Sequence, residues 1–121
     1  MKKIILICTI LFLAKIGIAQ QTFTPEDAAK HVGDSITVCG KIFGGRFFET
    51  STNTPTLLNM GAAFPNSPIT VMIPGNVRAK LGYAPEIELR EKLICVTGTV
   101  VLFKNKPEII LYDTKQLEIK K

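Results

Sequence analysis

The stretch from Ser35 to Phe48, SITVCGKIFGGRFF, limits the fold more than any other part of the sequence. Apolar and other residues alternate along it, which predicts one strand with a buried face. This strand is long, and it contains the pair Gly44 and Gly45. Glycines inside a strand are typical of a bulge or a sharp bend. Because a bent strand can serve two sheets, the pattern predicts that the chain closes its sheet into a small barrel.

Helix and strand signals divide the rest of the chain. Thr24 and Pro25, followed by two acids, form a typical helix start, and Gly33 ends this N-terminal helix after about two turns. Asn76 can cap a second short helix that Gly82 ends. The elements predicted after the first strand are strands Thr56–Met60 and Ile69–Ile73, helix Val77–Leu81, and strands Lys92–Phe103 and Glu108–Ile119.

The N-terminus has the pattern of a secretory signal peptide, residues 1–19. A basic start precedes the apolar run Ile4–Ala19, which ends in small residues of the kind that signal peptidase recognises. The run is shorter than the roughly 20 apolar residues that span a bilayer, and Lys15 interrupts it. We therefore expect cleavage before Gln20, no membrane anchor afterwards, and one domain over residues 20–121 that is periplasmic or secreted.

Cleavage would change the charge and the cysteine count. Three of the 15 basic residues, Lys2, Lys3 and Lys15, lie in the signal, which leaves 12 against ten acids and a net charge of +2 instead of +5. A weakly basic domain permits an anionic partner without requiring one. Cys8 is also removed, so the mature chain keeps two cysteines.

These two cysteines, Cys39 and Cys95, are predicted to form a disulfide. An even pair in an oxidising compartment is most simply bonded. Each lies on the opposite side of its strand from the alternating aliphatic residues, so both sulfurs are expected on the outer face of the sheet. Neither has a partner at CxxC spacing, and Lys41 is the only weak source of activation. A structural disulfide is therefore favoured over a reactive thiol.

The sequence offers little for catalysis. His31 is the only histidine, and on the predicted leading helix it is more typical of a surface or interface residue than of a general base. Glu86, Glu88 and Glu91 cluster without the spacing of a metal site. Gly44 and its neighbour lack the lysine and hydroxyl that complete a phosphate loop. We predict no catalytic residue, no metal and no cofactor.

The element order is that of an all-β OB-fold, a five-stranded Greek-key barrel with a short helix between strands three and four, here preceded by an N-terminal helix. The segments VCGKI, TLLNMG, AFPN, ITVMI, KLICVTGTV and KNKPEI also resemble small secreted bacterial OB-fold domains. Such domains are similar to the nucleic-acid-binding OB domains of anticodon-binding and helicase proteins. The resemblance covers residues 34–119.

The resemblance implies a binding surface along strands two and three, between the loops that follow strands one and four. Cations there would follow phosphates and aromatic rings would stack on bases. The candidate nucleic-acid-binding residues are Lys41, Phe43, Arg46, Phe48, Asn59, Lys104 and Lys106.

Each candidate has an alternative interpretation. By alternation, either Phe47 or Phe48 points into the core. Lys104 and Lys106 flank a hairpin turn, where solvated lysines are common, and Asn59 can bond to a neighbouring backbone group.

Two functions therefore stay open. The first is an extracytoplasmic, non-catalytic module for single-stranded nucleic acid or another anionic polymer. The alternative is a protein-interaction or structural domain of the cell envelope, with Phe43 or Phe64 and the AFPN loop as contact points.

Overall fold

A computed structural model describes residues 21–121 of the chain. The predicted signal peptide and its cleavage position lie outside this part. The described residues are mostly β-structure, with short helical segments between the strands. The strands are β1 (Thr22–Phe23), β2 (Ser35–Phe47), β3 (Thr56–Met60), β4 (Ile69–Ile73), β5 (Leu93–Phe103), β6 (Lys106–Ile110) and β7 (Leu117–Ile119). The helical segments are a 3-10 helix (Pro25–Lys30), α1 (Gly75–Leu81), α2 (Pro85–Glu88) and a 3-10 turn (Thr114–Gln116).

Five of these strands form a ring. The order is β2, β3, β4, β6 and β5, and β5 pairs back with β2. One half of β2, Ser35 to Lys41, pairs with β5, and the other half pairs with β3. Neighbours in the ring are antiparallel except β4 and β6, which are parallel. The predicted five-strand arrangement, with one long strand that serves two neighbours, is confirmed as an OB-like ring.

The bend in β2 lies at the two glycines. The register against β3 shifts between Ile42 and Gly45. Gly44 has a φ of +115°, a conformation that residues with a side chain rarely adopt. A Cβ atom on Gly45 would lie 2.3 Å from the carbonyl oxygen of Leu57. The glycines therefore permit both the turn of the chain and the close approach of β3.

Aliphatic side chains fill the inside of the ring. Each strand contributes alternate residues, which is the pattern the sequence predicts for a half-buried sheet. At about 25 cal/mol per Å² of apolar surface removed from water, such a core is the main source of stability for a small domain. The fully buried residues include Val38, Ile42, Leu58, Met60, Val71, Ile73, Ile94, Val96, Val100, Ile109 and Leu111.

The predicted disulfide is present between β2 and β5. Cys39 and Cys95 are direct cross-strand partners, and their sulfur atoms are bonded. Two residues earlier on β2, Thr37 faces Thr97, and their hydroxyls lie 2.7 Å apart. A disulfide of this kind is typical of an oxidising compartment. Within residues 21–121, no helix has the length and apolar character needed to cross a bilayer.

The placement of the helices differs from the prediction. The leading helix is a 3-10 helix, and His31 is its C-terminal cap rather than part of an α-helix. The strand β1 pairs with β2 before this segment, and Val32 bridges to Val100 after it. A 3-10 helix rises about 2.0 Å per residue against 1.5 Å in an α-helix, so it spans more of the distance between two fixed ends.

Three further boundaries were predicted incorrectly. Helix α1 begins after Pro74, so Asn76 lies in its first turn and does not cap it. Helix α2 occupies a segment predicted to be irregular, with Pro85 at its first position. The last predicted strand is two strands, β6 and β7, because the Asp113 carboxylate accepts a hydrogen bond from the N–H of Lys115 and starts a 3-10 turn.

An arginine connects α1 and α2 to the strands. The guanidinium of Arg78 lies 3.6 Å from the ring centre of Phe47 and donates hydrogen bonds to Thr56 Oγ1 at 2.8 Å and Glu86 Oε1 at 2.7 Å. Burial raises the pKa of Glu86, but the hydrogen bonds from Arg78 and the backbone outweigh it, so the pKa lies below its ordinary value. Of the two adjacent phenylalanines, Phe47 is thus the one packed under Arg78.

Candidate functional site

A groove of about 480 Å³ crosses the outer face of β3, β4 and β6. One wall comes from the end of β2, the other from the hairpin between β5 and β6, and the loop between β3 and β4 adds a third side. This face is where the sequence predicts a binding surface. The lining residues are Gly45, Arg46, Phe48, Leu57, Asn59, Phe64, Thr70, Phe103, Lys104, Lys106 and Glu108.

Three phenylalanines from separate segments line the groove. Phe48 directly follows β2, Phe103 ends β5, and Phe64 lies in the loop between β3 and β4. Phe64 is 76% exposed and Phe103 is 54% exposed. Exposed aromatic side chains that are grouped around one groove favour a ligand there.

Two cations stand beside two of these rings. The Arg46 guanidinium lies 4.8 Å from the ring centre of Phe48, and the Lys104 ammonium lies 5.4 Å from that of Phe103. Both distances are within the range of a cation–π interaction. Each side of the groove therefore presents an aromatic face with a positive charge next to it.

A third cation, Lys106, has a different position. Its ammonium donates a hydrogen bond of 2.5 Å to the carbonyl oxygen of Pro65. This bond connects the start of β6 to the loop that carries Phe64. Lys106 therefore helps to hold the Phe64 loop against the groove.

The turn between β5 and β6 fixes one wall of the groove. Lys104 and Asn105 have φ angles of +51° and +66°, as in a two-residue type I′ hairpin turn. Asparagine tolerates this conformation better than most residues. The turn pairs Phe103 with Lys106 across the hairpin.

The floor of the groove is a polar row across three strands. Asn59 on β3 pairs with Thr70 on β4, and Thr70 pairs with Glu108 on β6. Glu108 is only 7% exposed. Burial raises the pKa of its carboxyl above the ordinary value, because water no longer stabilises the charged form.

Replacement of this acid gives a stability prediction with a defined pH dependence. The pKa of Glu108 is higher in the folded protein than the ordinary value of 4.5. Below pH 4.5 the carboxyl is protonated in both the folded and the unfolded state, and its full contribution to stability is present. As the pH rises through the folded-state pKa, the carboxyl becomes charged and this contribution is lost. We expect Glu108→Gln to increase the free energy of unfolding by roughly 1 kcal/mol at pH 7.5, with little change at pH 3.5.

Urea unfolding of both proteins at the two pH values measures this difference. The exposed Glu88→Gln is a suitable control, since it removes the same charge outside the groove. An equal gain at both pH values would contradict an effect of the Glu108 charge.

The structure gathers five of the seven sequence-predicted residues into this groove: Arg46, Phe48, Asn59, Lys104 and Lys106. Lys41 and Phe43 do not line it. The Lys41 ammonium lies 3.0 Å from a Glu91 carboxylate oxygen and 5.2 Å from the Phe43 ring centre. These two residues form a separate exposed group on β2, and their role in binding stays a prediction.

Sequence reasoning missed several of the lining residues, including Leu57, Thr70, Phe103 and Glu108. Alternation against the core residues Val100 and Ile109 does place Phe103 and Glu108 on the outer face. What the sequence does not contain is the register that brings them opposite β3 and β4.

The comparisons with known proteins identify the fold and nothing narrower. No protein-family model and no curated protein sequence matches the chain. Solved structures do match it across 88% of its length. These neighbours are OB-fold proteins. At 10 to 15% identity, the likeness shows the fold alone.

Three neighbours illustrate the range of proteins that carry this fold. A Leishmania major Friedlin chain assigned as an aspartyl-tRNA synthetase has a TM-score of 0.57 at 10% identity. An OBody bound to hen egg-white lysozyme has a TM-score of 0.53 at 12% identity. A chain from the structure of yeast Stn1 and Ten1 has a TM-score of 0.57 at 15% identity.

The matched lengths differ among these neighbours. The chain spans 22% of the synthetase, 65% of the chain from yeast Stn1 and Ten1, and 98% of the OBody. The ring therefore corresponds to part of a larger protein in one neighbour and to nearly all of another.

Proposed function

We propose that the OB-like groove binds single-stranded nucleic acid outside the cytosol and that the protein is a binding module rather than an enzyme. The observation that carries this proposal is the pairing of aromatic rings with cations on opposite sides of one groove, Phe48 with Arg46 and Phe103 with Lys104. Proteins that bind single strands use rings to stack on bases and cations to follow the phosphates. One neighbour of the same fold has tRNA in its name, which agrees with this class of ligand.

Two features support an extracytoplasmic location. The Cys39 to Cys95 disulfide is typical of an oxidising compartment, and the sequence begins with the pattern of a signal peptide. The ligand is thus a nucleic acid present in the periplasm or outside the cell.

Removal of one ring tests the stacking. Phe103 is 54% exposed, so Phe103→Ala removes a wall of the groove without opening a cavity in the core. We expect oligonucleotide binding to weaken by roughly five- to hundredfold, the range measured for base stacking on aromatic side chains. Fluorescence anisotropy with a labelled ten-nucleotide single strand at low salt measures the change.

Tyr112→Ala is the matched control, because Tyr112 is 77% exposed and does not line the groove. It should bind like the wild type. If the wild-type mature protein does not bind the oligonucleotide at low salt, the proposed function is wrong.

Charge reversal tests the phosphate contacts separately. We expect the double change Arg46→Glu and Lys104→Glu to weaken binding and to reduce the slope of log K against log salt by about 0.7 for each lost phosphate contact. Lys80→Glu reverses an exposed charge on α1 away from the groove and serves as the control. An unchanged slope in the double variant would show that these cations do not meet phosphates.

A protein ligand in the same groove is the second candidate. It is favoured by the 76% exposure of Phe64 at a groove edge and by the similar fold of the OBody, which is bound to hen egg-white lysozyme. Exposed aromatic side chains held on a rigid frame are typical anchors of protein interfaces. Envelope proteins retained on the immobilised domain after nuclease treatment, and lost with Phe64→Ala, would favour this function.

A further inference from the structure

We propose that the groove selects guanine among the bases and that the Glu108 carboxylate reads it. This inference rests on the proposed function, since it names the base that a bound single strand presents to the floor of the groove.

Glu108 is mostly buried, and no partner for its carboxylate is present among residues 21–121. It is 7% exposed, and what remains accessible lines the groove. In the part of the chain that the structure describes, no hydrogen-bond donor or cation pairs with its carboxylate, and burial alone accounts for its raised pKa. Among the nearby cations, Lys106 bonds to Pro65 and Arg46 lies over Phe48.

Although Glu108 is mostly buried, its carboxylate oxygens keep access to the groove, since no fully buried side-chain oxygen among the described residues lacks a partner. A carboxylate that is largely removed from water without a partner opposes folding. A leucine at this position of β6 would avoid that penalty, and a glutamine would reduce it because it has no charge. The presence of Glu108 on the floor of an open groove is explained if a ligand supplies the missing hydrogen-bond donors.

The charge of Glu108 also restricts how a single-stranded nucleic acid can lie in the groove. Phosphates are repelled from the floor and attracted to Arg46 and Lys104 at the walls. The backbone therefore follows the walls, and the bases point toward β3, β4 and β6. The groups that reach Glu108 are donors on the edge of a base.

Guanine is the base whose edge fits an ionised carboxylate best. Its N1–H and N2–H donors are adjacent and parallel, so that one carboxylate accepts both, as it accepts the two N–H groups of an arginine fork. Adenine and cytosine place one amino group beside a ring nitrogen that accepts, and thymine and uracil place acceptors on both sides of one N–H. In these bases a lone pair faces the second carboxylate oxygen.

Asn59 supplies a donor at the other end of the polar row. Its Oδ1 accepts a hydrogen bond of 3.3 Å from Ser67 Oγ, which leaves the amide N–H groups for a ligand. Strands lie about 4.8 Å apart, so Asn59 and Glu108, separated by β4, are roughly 10 Å apart at Cα. A guanine base fits this width, and its O6 would then accept a hydrogen bond from the Asn59 amide N–H.

Three ten-nucleotide single strands test the inference: all thymine, thymine with one central guanine, and thymine with one central hypoxanthine. Hypoxanthine keeps N1–H and lacks the N2 amino group. At pH 8, we expect the wild type to bind the guanine strand roughly five- to hundredfold more tightly than the other two.

Glu108→Gln should remove most of this preference and bind the all-thymine strand more tightly, because a negative charge leaves the floor. Glu88→Gln should keep the wild-type preference. Binding of the all-thymine strand by Glu108→Gln also shows that the variant is folded.

The outcomes separate this inference from the proposed function. Equal binding of the three strands by the wild type, or a guanine preference that survives Glu108→Gln, overturns guanine recognition and leaves nucleic-acid binding standing. Failure of the wild type to bind any strand overturns the proposed function itself. The hypoxanthine comparison uses only wild-type protein, so it tests the selection of guanine even if the variant does not fold, and the role of Glu108 is tested by the variant.

Discussion

Replacement of Cys39 and Cys95 with alanine is expected to lower the free energy of unfolding by about 4 kcal/mol. The disulfide closes a segment with a sequence separation of 56 residues, and in the chain-entropy model a loop of this length restricts the unfolded chain by that amount. Small domains are stable by only about 5 to 15 kcal/mol, so the change removes a large fraction of the total. Urea unfolding of the double variant and of the wild type measures the difference.

Reductant provides the control for this prediction. The wild type should become less stable when its disulfide is reduced, whereas the double alanine variant should not respond. Mass measurement should show the addition of two hydrogen atoms to the reduced wild type. Two free thiols in protein purified from an oxidising compartment, or identical unfolding with and without reductant, would contradict the structural role of the bond.

Substitution of Gly45 by alanine is the second change with a large expected effect. The added Cβ would lie 2.3 Å from the Leu57 carbonyl oxygen and 2.9 Å from Leu58 Cδ2. Backbone atoms cannot move aside without separating β2 from β3, so we expect a loss of about 3 kcal/mol or more. Arg46 is the next residue on β2, and oligonucleotide binding should weaken in the same variant.

Gly33→Ala is the matched control for the added methyl group. Gly33 has a φ of +94°, but no atom lies within 4 Å of a Cβ built there. Its replacement should cost about 1 kcal/mol from backbone strain alone. Thermal unfolding compares the two variants, and equal losses would show that the close approach of β3 does not decide the effect at Gly45.

The lining of the groove was predicted in part because several of its residues lie where chain order alone indicates them. Arg46 and Phe48 follow the glycine bend, and Lys104 lies in a turn that the sequence KNKP marks clearly. Glu108 was not predicted as a site residue, since an isolated glutamate in a strand is ordinarily a solvated residue. Its position between β4 and β5 depends on strand pairings that bring distant parts of the sequence together.

The errors in the helices have a similar cause. The segment after Thr24 has a good helix start, yet the pairings of β1 and Val32 at its two ends favour a 3-10 helix over an α-helix. Helix propensity has a weak influence in a segment of six residues, and the paired ends of this segment decide which type of helix forms.

The sequence by itself determined four of the five strands of the ring, the bend at Gly44 and Gly45, and the pairing of Cys39 with Cys95. The strands follow from the alternation of apolar residues, and the bend follows from the conformational freedom of glycine. The disulfide follows from the presence of two cysteines after the predicted cleavage position. Only the tertiary structure decided that three phenylalanines from separate segments surround one groove, and that Glu108 lies mostly buried at its floor. Register and burial are relations between strands far apart in sequence, and no local pattern encodes them.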